Sequence, residues 1–207
     1  MRPLLTQVLV ATRNEGKLRE LRPLLAAVGI TPLDLDVVGL SETLAEDLLE
    51  THQTFEANAL AKARHFHLLS GLPVMADDSG LEVDALGGRP GVRSKRWAGR
   101  CDLRGEALDD ANNGALLTEL ERIVDRRAGY VCAAALVDTE GEWVCRGTTR
   151  GMLLRHPRGQ GGFGYDPYFW SSELSCTFGE ASVEEKASVS HRARAVAALL
   201  QALASRC

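Results

Sequence analysis

Val74-Met-Ala-Asp-Asp-Ser-Gly80 runs on through Leu81-Glu-Val-Asp-Ala-Leu-Gly-Gly-Arg-Pro-Gly-Val-Arg-Ser-Lys-Arg-Trp97. Pro73 ends what precedes it, and Val74 to Ala76 is an apolar run too short for a buried helix. The run predicts a buried strand that stops at two adjacent carboxylates, Asp77 and Asp78, after which Ser79 and Gly80 turn the chain. Carboxylates at a strand end, followed by a Ser-Gly turn, are what a magnesium site at the edge of an open α/β sheet requires. The competing reading is an ordinary Asp-Asp-Ser-Gly surface turn. Neighbours on an extended chain point to opposite faces, so Asp77 and Asp78 are not expected to serve one ion identically.

Towards the N-terminus, Val8-Leu-Val-Ala-Thr12 predicts a first strand and Arg13-Asn-Glu-Gly-Lys17 a polar turn. Leu18, Leu21, Leu25 and Val28 then recur at helical spacing, with Gly29 as the stop. Asn14 sits where a helix N-cap belongs, and Lys17 falls in the first turn. A cation there opposes the helix dipole, which becomes understandable if an anion shares the site. A plain capped helix with a solvated lysine is the alternative.

Leu33 to Val38 alternates as a strand does, and the acidic run from Leu40 to Gln53, with Glu42, Glu46, Asp47 and Glu50, reads as a solvated loop. Thr54 to Leu69 predicts a helix with Phe55, Ala59, Ala63 and Phe66 on one side, on which Lys62 reads as a surface lysine. Another helix is expected over Glu106 to Arg127. Tyr130 to Val137 and Glu142 to Thr148, separated by Asp138-Thr-Glu-Gly141, predict a hairpin, continued by Gly151 to Leu154. The sheet is therefore mixed.

Gly159-Gln-Gly-Gly-Phe-Gly164 matches the dinucleotide fingerprint only formally. Tyr165-Asp-Pro167 and a strand-like Tyr168-Phe-Trp170 follow it, where the fingerprint needs a helix. These glycines read instead as a loop that brings backbone close to a ligand, with Phe163 offering a face for a base. Ser182 to Glu185 fits a capping box. Ser190 is placed to cap a last helix that begins with His191 and Arg192, again basic groups at a helix start.

At 207 residues, 45% of them hydrophobic, the chain fits one soluble globular domain over 1–207. No apolar run reaches the length of a membrane span, and the N-terminal apolar run reads as a strand, not a signal peptide. Five cysteines with no C-x-x-C pair suit a reducing cytoplasm and neither a disulfide framework nor a zinc site. A net charge of −4 offers no field for nucleic acid, so a polyanion would have to be captured by local cations and a metal.

These segments together resemble the inosine triphosphate pyrophosphatase family. The resemblance runs in the family's order through Ala11-Thr-Arg-Asn-Glu-Gly-Lys17, Glu50-Thr-His-Gln-Thr-Phe-Glu-Ala-Asn-Ala-Leu-Ala-Lys62 and Ala76-Asp-Asp-Ser-Gly-Leu-Glu-Val-Asp84. It continues through Leu86-Gly-Gly-Arg-Pro-Gly91, Gly161-Gly-Phe-Gly-Tyr-Asp-Pro167, Glu185-Lys186 and Ser190-His-Arg192. It implies an α/β fold, a long twisted mixed sheet flanked by helices, with the active site in a cleft between two lobes and a homodimer as the assembly. It also implies hydrolysis of inosine, deoxyinosine and xanthosine triphosphates to the monophosphate and pyrophosphate. Residue by residue, it places Thr12, Asn14 and Lys17 on the triphosphate, within the segment Thr12, Arg13, Asn14, Glu15, Gly16, Lys17. Asp78 takes the magnesium and water-activating position, with Glu50 as the second metal carboxylate and Glu42 as the alternative. Ser79, Lys62, Phe163, Gly164, Tyr165, Asp166, Lys186, His191 and Arg192 contact the nucleotide. Arg13 and His52 stand where the family commonly has glycine, and Arg93 where an aromatic is expected. Two rivals remain: a related pyrophosphatase of modified pyrimidine or methylated triphosphates, and a catalytically silent nucleotide-binding module.

Overall fold

The computed structural model describes residues 5–205. Its strands are β1 (Gln7–Val10), β2 (Thr31–Asp34), β3 (Val74–Val83), β4 (Arg127–Asp138), β5 (Gly141–Leu153), β6 (Phe169–Ser171) and β7 (Cys176–Thr177). Its α-helices are α1 (Glu15–Ala26), α2 (Phe55–Ser70), α3 (Gly105–Glu119), α4 (Val183–Val189) and α5 (His191–Ala204), with shorter 3₁₀ turns between them. The strands form one seven-stranded sheet in the order β2-β1-β3-β4-β5-β6-β7. β1 pairs in parallel with β2 and β3, whereas β6 is antiparallel to β5 and β7. The sheet is thus mixed and open, with helices flanking it, as the sequence implied.

Two compact units share the chain. The first comprises Met1–Asp78, Cys132–Gly147 and Arg192–Cys207; the second comprises Ser79–Val131 and Thr148–His191. In the first, one stripe of α1 (Leu18, Leu21, Leu25) and one of α5 (Ala195, Val196, Leu199) join Val8, Val10, Met75, Ala134 and Leu136 in a closed core. Each stripe follows the helical repeat, and each strand contributes every second residue. In the second, Leu81, Val83, Leu116, Leu120 and Leu153 pack with an aromatic group. Its Tyr130 ring lies 4.7 Å from that of Phe169 and stacks at 5.9 Å on that of Phe178.

The structure departs from the sequence reading at five places. β3 does not stop at Asp77 but continues to Val83, because Leu81 and Val83 are themselves fully buried and extend the apolar run. β2 ends at Asp34: the chain turns back, Leu40 N–H donating to the Leu35 carbonyl at 2.9 Å, and Val37 is 72% exposed. The acidic stretch is not an open loop, since Leu44–Glu50 forms a 3₁₀ helix closed by a Thr43–Glu46 capping box. Val28 lies beyond the end of α1 and is exposed. α3 stops at Glu119 because Arg126 turns back on the chain, donating to the carbonyls of Leu120 at 3.1 Å and Leu153 at 2.8 Å. The Ser182–Glu185 capping box is present as read, and no helix among the described residues is long and apolar enough to cross a membrane.

Gly151 marks the tightest strand contact. A Cβ there would meet the Trp170 carbonyl oxygen at 2.3 Å and the Phe169 ring at 2.7 Å. Gly151→Ala is therefore expected to cost about 1–3 kcal/mol of stability by overpacking, measured by urea unfolding; an unchanged midpoint would contradict this packing.

Candidate active site

The first unit gathers cations around a buried carboxylate. Asn14 caps α1, its Oδ1 accepting from Lys17 N–H at 3.1 Å, and its own N–H donates to Thr12 Oγ1 at 3.2 Å. That fixes where α1 starts, and with it the Lys17 side chain. Lys17 is not solvated: Nζ lies 3.1 Å from Asp77 Oδ2 and 3.3 Å from the Asp77 carbonyl. From α5, Arg192 Nε approaches the same Oδ2 at 3.1 Å, and its Nη1 donates to Glu20 of α1. The Cys132 thiol donates to Oδ2 as well, at 3.7 Å. Burial alone would push the Asp77 carboxyl up, but Lys17, Arg192 and Lys62 hold it well below the usual carboxylate range. Burial pushes the Cys132 thiol up, so it acts as a donor and not as a thiolate.

Asp78 faces different neighbours. Asn58 and Lys62 lie four residues apart on α2 and so share one helix face. Asn58 Nδ2 donates to Asp78 Oδ2 at 2.8 Å, while its Oδ1 accepts from His52 N–H at 2.9 Å. Lys62, read from sequence as a surface residue, is buried at 7% exposure because its ammonium has three oxygen-bearing neighbours. Nζ donates to Glu50 Oε1 at 2.7 Å and to the Asp77 carbonyl at 2.5 Å, and lies 3.9 Å from Asp78 Oδ1. Burial pushes the Asp78 carboxyl up, outweighing Lys62 and Lys17, and the charge of Glu50 pushes it further. Two chain neighbours are thus driven in opposite directions.

Among the described residues no three His, Cys, Asp or Glu side chains form a metal-ligating cluster. Asp78 and Glu50 are nonetheless linked through one cation, and the donors around it are all oxygens, the set that magnesium prefers. On the opposite face of the strand, Asp77 Oδ1 is buried and has no partner among the described residues. Asp78 and Glu50 fit a hard divalent cation. Glu42, the alternative to Glu50, is exposed. Arg13 turns to the acidic segment, with contacts at 2.8 Å to Asp36, 3.0 Å to Glu46 and 2.8 Å to the Leu40 carbonyl.

The second unit holds the remaining candidates. Gly162 has φ 74°, and a Cβ there would sit 2.1 Å from Asp166 Oδ2, so only glycine lets the loop wrap that carboxylate. The same Oδ2 accepts from Phe163 N–H at 2.8 Å and from Lys186 Nζ at 2.5 Å. The Lys186 ammonium lies 5.0 Å from the centre of the Phe163 ring, over its face. Tyr165 is buried, its hydroxyl donating to the Ser94 carbonyl at 2.8 Å. His191 is buried and stacks on Tyr130 at 4.6 Å. Ser79, on β3, is half-buried.

The structure therefore assembles Lys17, Lys62, Glu50, Asp78 and Arg192 in one unit, and Phe163, Gly164, Asp166 and Lys186 in the other. Sequence reading missed Asn58, Glu20 and Cys132. A usable signal existed for Asn58: a weak helix former placed inside a helix, four residues from Lys62.

A family model described as the Ham1 family matches residues 8–202. A protein of Mycobacterium bovis named dITP/XTP pyrophosphatase is 50% identical over 98% of this chain and 97% of its own length. One of the same name from Frankia alni is 49% identical over 90% of this chain and 91% of its own. A solved HAM1 protein from Coxiella burnetii superposes with a TM-score of 0.81 at 35% identity, covering 96% of this chain and 98% of that one. With a matching model over nearly its whole length and relatives at half identity, the chain belongs to the Ham1 family.

Proposed function

We propose that this chain hydrolyses deaminated purine nucleoside triphosphates, among them dITP and xanthosine triphosphate, to the monophosphate and pyrophosphate. The observation that carries the reading is the geometry around the adjacent pair. Asp77 anchors Lys17 and Arg192 at 3.1 Å each, while Asp78 is held by Asn58 at 2.8 Å and lies beside Lys62, which also binds Glu50. The relatives named dITP/XTP pyrophosphatase support the choice of substrate.

In this reading a water attacks the α-phosphorus, the bond to the bridging oxygen breaks, and pyrophosphate leaves with the electron pair. Asp78 takes the proton from the attacking water, and Asn58 fixes its orientation through the bond to Oδ2. Lys17 and Lys62 offset the charge on the leaving pyrophosphate, helped by backbone N–H groups at the start of α1. Asp78 and Glu50 would hold magnesium, which when bound adds positive charge at phosphate oxygens and acidifies water. Phe163 and the loop up to Asp166 handle the base. A 6-oxo group accepts where the 6-amino group of adenine donates, so a donor such as His191 selects the deaminated ring over adenine, the Phe163 and Gly164 N–H groups being already bonded to Asp166 and Asp109. Arg192 already serves Asp77 and Glu20, so any contact from it to the base competes with these two. The same reading makes the chain a single catalytic domain, working as a homodimer in the cytoplasm. That part rests on the family likeness.

Pyrophosphate release from inosine, xanthosine, deoxyinosine, guanosine and adenosine triphosphates, with magnesium and with chelator, tests the proposal. Fast magnesium-dependent turnover of the deaminated purines is expected; orthophosphate and a diphosphate product would refute the placement of attack. Asp78→Asn should lower kcat by about a thousandfold or more with the melting temperature retained, and a near-normal kcat would remove Asp78 from its role. Asp77→Asn should instead destabilise the fold by about 3–5 kcal/mol, because it strands two buried cations. Denaturant unfolding of that variant reads the loss, and wild-type stability would contradict the anchor.

A further inference from the structure

Both backbone polar groups of Gly164, in the Phe163–Asp166 loop, are held by a single helix. Its N–H donates to Asp109 Oδ2 at 2.7 Å, and its carbonyl accepts from Asn113 Nδ2 at 2.9 Å. Asp109 and Asn113 are four residues apart on α3, so they form a fork on one face. Gly164 has φ 64°, a left-handed conformation that a free loop leaves easily and the fork holds. From the other end, Asp166 and Lys186 fix Phe163. The loop is pinned twice, once by its own carboxylate and once by α3.

A purely stabilising role does not account for the residues used. Asn113 is 6% exposed, yet its Oδ1 has no partner among the described residues, a cost an apolar residue would avoid. Burial likewise pushes the Asp109 carboxyl up. Local rules broken together at one loop mark a functional position. The neighbouring Asn112 provides the contrast. Both ends of its amide are used, Oδ1 accepting from Ala98 N–H at 2.8 Å and Nδ2 donating to the Lys95 carbonyl at 3.0 Å.

We propose that Asp109 and Asn113 are positioning residues for base selection: they hold Gly164, and through it the adjacent Phe163, in the one shape that accepts a deaminated purine. The inference rests on the proposed function, which places the base at this loop. Asn113→Ala and Asp109→Ala should raise KM for inosine triphosphate about tenfold, the scale of one lost hydrogen bond. In both, kcat should stay within about twofold and the preference for inosine over adenosine triphosphate should narrow. Asp109→Asn keeps an acceptor for the Gly164 N–H and should restore wild-type KM and preference. Asn112→Ala should lower the melting temperature but leave the preference intact. If the alanine variants do not fold, Asn113→Asp, equal in size but without the donor to the Gly164 carbonyl, carries the same test. Variants that lose only thermal stability, with the preference unchanged, overturn the inference while the function stands. A wild-type protein without activity on inosine triphosphate overturns the function first, and the inference with it.

Discussion

The buried carboxylate of Asp77 is the constraint around which the first unit is built. A lone anion in an apolar interior is expensive, so the fold must bring it cations. It does so with Lys17 from α1 and Arg192 from α5, and Lys62 from α2 reaches the carbonyl of the same residue. Three helices are thereby tied to one point on β3. The Arg192 guanidinium also bonds to Glu20, so α1 is held at two places. Buried charges paired this way add little net stability, but losing one partner is costly, which suits an arrangement that must hold one geometry.

The same burial acts on Asp78 with the opposite result. Its neighbours are an amide, a lysine shared with Glu50, and Glu50 itself, and together they do not offset the desolvation. Sequence adjacency thus places two identical groups on opposite faces of one strand, where cations lower the proton affinity of one and burial raises that of the other. The division requires an extended backbone through Asp77 and Asp78. The continuation of β3 to Val83 supplies it.

Much of this was legible in the chain. The period of Leu18, Leu21 and Leu25, the Asn14 cap, the Ser182–Glu185 capping box and the two-residue connection between β4 and β5 all act locally, and local chemistry decides them. What escaped reading was set by distant partners. Ser79-Gly80 has turn chemistry, but the burial of Leu81 and Val83 overrides it. Lys62 looks like a surface lysine until Glu50 and the Asp77 carbonyl close over it. Asn58 and Asn113 carry no local signature of what they bond, since each partner lies many residues away in sequence. Arg192 was legible as a basic group at a helix start, but not as a partner of Asp77.

Hydrolysis of inosine triphosphate in ¹⁸O-enriched water, followed by mass spectrometry of both products, tests the central claim most directly. Attack at the α-phosphorus predicts one heavy oxygen in the monophosphate and none in the pyrophosphate. Label found in pyrophosphate or orthophosphate would place the attack on another phosphorus and contradict the role of Asp78 as the base for attack at the α-position.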